Sequence, residues 1–141
     1  MISFVVYKTA TGEILRTGKC PVDLVNIQAL AGESVITGSA NDMSDYVLSG
    51  VITAKQSQNT SINKTTLSAN GIDSILITNA QTDSKLSIME TKTYALTESV
   101  ISVNGEFKTV DAGQYEIKVE KFPFLIFREI VTAEQKWQYV F

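Results

Sequence analysis

The chain has 141 residues, 44% hydrophobic and 19% charged, with a net charge of −3 and no histidine. This is the composition of a folded globular protein, and without a basic run it offers a nucleic-acid backbone no electrostatic footprint. The missing histidines remove the commonest general base and transition-metal ligand, and a single cysteine, Cys20, supplies neither an internal disulfide nor a thiolate metal site.

Ile2 to Tyr7 reads as a strand, Thr11-Gly12 as a turn and Glu13 to Thr17 as the returning strand. The opening run is short, lacks a basic leader and is interrupted by Lys8, so it reads as neither a signal peptide nor a membrane span. Gly18-Lys19-Cys20-Pro21 breaks the ladder, and Pro21 suits the first turn of a short helix. Leu24, Ile27 and Leu30 or Ala31 recur at helical spacing, and Gly32 is placed to end that helix. Cys20 reads as a small buried residue at the loop–helix junction, since no base is present to activate it. Glu33 to Thr37 and Asp45 to Thr53 supply further strands around the turn-forming Gly38 to Asp42. Residues 1–54 are therefore expected to form a small β module with one short helix.

Residues 55–63 read as a polar linker, because Lys55 to Ser61 has nothing apolar to bury. From 64 to 134 the pattern is that of an immunoglobulin-like antiparallel β-sandwich, making the whole chain mainly β. Ile75 and Ile77, then Leu86 and Ile88, then Tyr94 and Leu96 hold one parity. Turn signals fall at Asn70-Gly71, Asn79 to Ser84, Asn104-Gly105 and Ala112-Gly113. Asn104-Gly105 is the best two-residue hairpin candidate, both residues tolerating positive φ. The lead-in Asp111-Ala112-Gly113-Gln114-Tyr115 is similar to a tyrosine corner, in which a Tyr hydroxyl bonds back to the main chain. Tyr115, Ile117 and Val119 then alternate with Glu116, Lys118 and Glu120, as a half-buried strand requires.

The alternation fails in Phe122-Pro123-Phe124-Leu125-Ile126-Phe127, which would place apolar groups on both faces of a strand. A tail at 135–141 ends with Trp137, Tyr139 and Phe141 at alternate positions. Phe122, Phe124, Leu125, Phe127, Trp137, Tyr139 and Phe141 are the candidate partner interface, with rigid aromatics as anchors. The same tail could instead form a strand or cover on its own module. Asp42 and Asp45, with Asn41, could offer oxygens to Ca²⁺, but their spacing fits no calcium loop and a turn explains them equally well. No Gly-x-Ser-x-Gly context and no phosphate-binding glycine loop occurs. The sequence predicts no catalytic residue, no metal and no cofactor, and hence a structural or binding protein rather than an enzyme.

Val5-Val6-Tyr7-Lys8-Thr9-Ala10-Thr11-Gly12-Glu13-Ile14-Leu15-Arg16-Thr17-Gly18 resembles the opening hairpin of a family of small structural proteins from tailed bacteriophages. Cys20-Pro21, Gln28-Ala29, Gly32-Glu33, Tyr46-Val47-Leu48-Ser49-Gly50, Ala69-Asn70-Gly71-Ile72-Asp73, Asn104-Gly105, Gly113-x-Tyr115 and Phe122-Pro123-Phe124 carry the resemblance across nearly the whole chain. It implies a virion protein of the tail, tail fibre or neck, assembled in the cytoplasm of a bacterial host. Its partners would be other virion proteins and copies of itself, with no nucleic acid and no membrane. A head decoration protein is the alternative within that class. A receptor- or carbohydrate-binding adhesin module, with Trp137 and Tyr139 stacking on sugars, is the alternative outside it.

Overall fold

The computed structural model describes residues 1–135. The chain is mainly β, as its pattern predicts, and divides into two units, one through Gln56 and the other from Ser57.

The first unit is organised by the run Phe4-Val5-Val6. These residues lie in β1 (Ile2–Lys8), the middle strand of a three-stranded antiparallel sheet with β2 (Ile14–Cys20) on one side and β3 (Glu33–Thr37) on the other. Successive side chains leave a strand on opposite faces, so three consecutive buried apolar residues need cover on both. Phe4 and Val6 pack with Cys20 and with Val25 of a 3-10 helix, Val22–Gln28. Val5 packs on the other face with Ile14 and with Val47 of the hairpin β4 (Asp45–Leu48) and β5 (Val51–Ala54).

The helix differs from expectation. It is 3-10 rather than α, Pro21 sits at its cap, and Leu24, Ile27 and Leu30 are exposed while Val25 faces inward. Arg16 ties it to the sheet: its guanidinium donates to both Glu33 carboxylate oxygens, at 3.1 and 2.6 Å, and to the Gln28 carbonyl at 2.6 Å. Those guanidinium bonds, first, and the Leu30 N–H, second, hold the Glu33 carboxyl below its ordinary pKa. Gly12 is the tightest point of the unit. Its φ is +85°, its carbonyl accepts the Val47 N–H at 2.9 Å, and a Cβ there would lie 1.9 Å from the Val47 carbonyl oxygen.

In the second unit the expected linker over 55–63 is largely built into the fold. Gln58 and Thr60 are buried, and β6 (Ser61–Ile62) pairs with the sheet. Polar composition concealed this because the buried groups are satisfied by hydrogen bonds rather than by apolar packing. Next come β7 (Thr66–Ser68), β8 (Ile75–Glu90), β9 (Leu96–Phe107), β10 (Gly113–Glu120) and β11 (Phe127–Glu134). They run in the order β6-β8-β10-β11-β7, with β9 also paired to β8. Ile77 has partners in both β6 and β9, and Leu86 in both β10 and β9. One edge of β8 is therefore taken by β9, and the other by β6 and then β10.

Two features depart from the all-antiparallel sandwich expected. The six strands form one hydrogen-bonded network because β8 and β9 run through its whole length, and β7 pairs with β11 in parallel. Asn79 to Ser84 is a bend inside β8 rather than a loop between strands. Asn79 and Asp83 have φ of +59° and +57°, and the buried Ser84 hydroxyl donates to the Gln81 carbonyl at 2.6 Å. Asn104-Gly105 is likewise no hairpin: Gly105 pairs with Ile77 inside β9, beside a kink at Val103 with φ +68°. The actual β8–β9 turn carries Tyr94, at φ +59° and exposed, so Tyr94 does not continue a strand.

Ile75, Ile77, Leu86, Phe107, Tyr115, Ile117, Val119 and Val131 form the core of this unit. The expected alternation of β10 is present, with Tyr115, Ile117 and Val119 buried. The Tyr115 hydroxyl donates to the Asp111 carbonyl at 2.8 Å and lies 3.2 Å from Thr109 Oγ1, while its ring packs 4.9 Å from that of Phe107.

Candidate partner interface

Strand β10 ends at Glu120 and β11 begins at Phe127, so Phe122 to Ile126 is a connection and not the doubly apolar strand expected. Pro123 has no N–H for a ladder, and the chain turns here. The Phe124 N–H donates to the Lys121 carbonyl at 2.8 Å, and the Phe122-Pro123 peptide is cis.

This connection is fixed from behind by a residue far away in sequence. The buried Gln58 amide donates to the Val119 carbonyl at 2.9 Å and to the Leu125 carbonyl at 3.0 Å. Its carbonyl oxygen accepts from the Thr60 hydroxyl at 3.2 Å, and that hydroxyl also reaches the Asn79 carbonyl at 3.1 Å. One side chain thus clasps the end of β10 to the middle of the loop that follows. Nothing in the sequence marked Gln58, because a buried amide in a polar run looks the same as a solvated one.

With its backbone held, the connection presents apolar groups outward. Phe122 and Leu125 are 36% and 37% exposed, and Phe124 is half-buried. Phe127 differs from these three: it opens β11 opposite Val119 and packs against the core. The structure therefore brings Phe122, Phe124 and Leu125 onto one connection and turns Phe127 partly inward. Trp137, Tyr139 and Phe141 lie outside the described residues.

The neighbouring outer face of β10 and β11 is mostly polar, with Ile130 its exposed apolar residue. Lys118 pairs with Glu120 at 2.9 Å, and Arg128 with Glu116 at 3.8 Å. The apolar connection thus has a charged border, the arrangement of an interface core with a polar rim. Asp42 lies in the turn, and Asp45 opens β4 with its side chain reaching back to that turn. The Asp45 carboxylate accepts the Asn41 N–H at 2.9 Å, and the Asn41 side chain accepts the Met43 N–H at 2.9 Å. Among the described residues no three His, Cys, Asp or Glu side chains are grouped as metal ligands would be.

No protein-family model, no curated protein and no solved structure matches the chain.

Proposed function

We propose that this protein is a structural component of a tailed-phage particle that holds neighbouring proteins through apolar β surfaces, in the tail, tail fibre or neck. The observation that carries this reading is the Phe122 to Leu125 connection: apolar side chains held half-exposed on a backbone that a buried Gln58 locks in place. A fixed apolar loop loses little conformational freedom when a partner covers it, so its buried area is converted to affinity with small entropic loss. The turn and strand motifs shared with small phage structural proteins favour a virion as the setting. Mass spectrometry of purified particles should find the chain in separated tails. Replacing Phe122 and Leu125 together by Ser should lower its incorporation while leaving the isolated protein folded. Absence from particles would overturn the reading, and so would normal incorporation of the double variant.

A further inference from the structure

We infer that β9 is a self-association strand, and that two copies of this chain pair antiparallel through it. This stands on the opposite edge of β8 from β10, and does not depend on the Phe122 to Leu125 surface. Among the described residues β9 is paired only with β8, so no described strand takes up the N–H and C=O groups along its second edge. Such an edge specifies its occupant chemically: only another extended backbone satisfies alternating donors and acceptors along its length.

Natural edges of this length are blunted by Lys, Pro, a bulge or an inward-pointing charge. From Leu96 to Ser102 β9 has no Lys and no Pro; its ladder with β8 is regular from Leu96 to Ile101, and a register shift formed by extra residues in β8 and the kink at Val103 follow. The single charge there, Glu98, is already paired within the molecule to Lys85 of β8 at 3.3 Å. Both faces are open: every residue from Leu96 to Asn104 is exposed except the half-buried Ile101, and Val100 is 71% exposed.

A second β9 can take this edge without setting like charges together, because Glu98 is the single charge between Leu96 and Ser102. A two-fold axis normal to the sheet keeps each side chain on its own face, so one residue must stand opposite its own copy. Centring the axis on Val100 pairs Val100 with Val100, Ser99 with Ile101 and Glu98 with Ser102, all short of the kink at Val103. No like charges meet, and two exposed valines cover each other. Each copy then saturates the edge of the other, which closes the assembly at two.

The register makes the inference testable in the full-length chain. Light scattering over rising concentration should show the mass going from that of one chain to that of two. Val100→Lys should abolish this, since it sets two ammonium groups face to face at a position too exposed to affect folding, which circular dichroism checks. Under oxidation most of V100C should form a disulfide-linked dimer, and T97C, three residues from the axis, should stay unlinked. A monomer at all concentrations, an assembly larger than two, a dimer that survives V100K, or equal linking of V100C and T97C would each overturn it.

Discussion

Strands β9 and β10 lie on opposite edges of the same long strand, and they differ in almost everything else. β10 has a neighbour on each side, β8 and β11, and buries one face completely. β9 has one neighbour among the described residues and buries neither face between Leu96 and Asn104, with only Ile101 half-covered. Their sequences show the difference. Tyr115 to Glu120 alternates strictly, whereas Thr97-Glu98-Ser99-Val100-Ile101-Ser102-Val103 is rich in β-branched residues without a clean period. Alternation reports that one face is buried, while β-branched content reports only an extended backbone. A strand with the second signal and not the first is one whose cover lies elsewhere.

The contrast is broken most directly by truncating one residue in each strand. Ile117 is fully buried between β8 and β11, so Ile117→Ala should cost about 2–5 kcal/mol through lost transfer energy and the cavity left behind. Val100→Ala, at an exposed site, should stay within about 0.5 kcal/mol for the isolated chain. Urea unfolding at low protein concentration measures both, and equal losses would mean that β9 is covered within its own molecule. A smaller effect is expected at the clasp that β10 has and β9 lacks. Gln58→Leu keeps the volume but leaves the Val119 and Leu125 carbonyls without their donor, at an expected cost of about 1–3 kcal/mol. Its denaturation midpoint should fall with the slope unchanged. No shift at all would show that the carbonyls find other donors and that the connection is not locked by this residue.

What was legible in the sequence follows the same division. The β1–β2 hairpin and β10 were readable because burial imposed a pattern or because a turn needed particular residues, whereas Asp45 to Thr53, read as one strand, is the β4–β5 hairpin that turns at Ser49-Gly50. The turn residues also misled. Asn79 and Asp83 are turn chemistry, yet their positive φ serves a bend inside β8, and the Asn104-Gly105 pair continues β9 after a kink whose positive φ belongs to Val103. Leu24 and Ile27, three residues apart, do share a face of the 3-10 helix, but that face is the exposed one and Val25 is the residue that turns inward. The apolar connection was only half legible. The loss of alternation at Phe122 to Phe127 marked the end of the strand pattern, but the buried Gln58 that holds this backbone gave no signal. The edge of β9 that no described strand pairs was not read, because a β-branched run without a period marks an extended strand and not how many neighbours it has.

The smallest effect expected separates packing from hydrogen bonding at the start of β10. Tyr115→Phe keeps the ring against Phe107 and deletes only the hydroxyl that reaches the Asp111 carbonyl and Thr109. Removing one such bond should cost about 0.5–1.5 kcal/mol, well below Ile117→Ala. The loss should also be local. The Asp111 N–H donates to Thr109 Oγ1 at 3.1 Å, so the hydroxyl, the threonine and the loop backbone form one small network ahead of the strand. Hydrogen exchange should therefore quicken around Thr109 to Asp111 in Tyr115→Phe, while the amides of Ile117 to Val119 keep their protection. If protection fell along the whole of β10 instead, the corner would be setting the strand's register, and the two-sided pairing of β10 would not suffice to hold it.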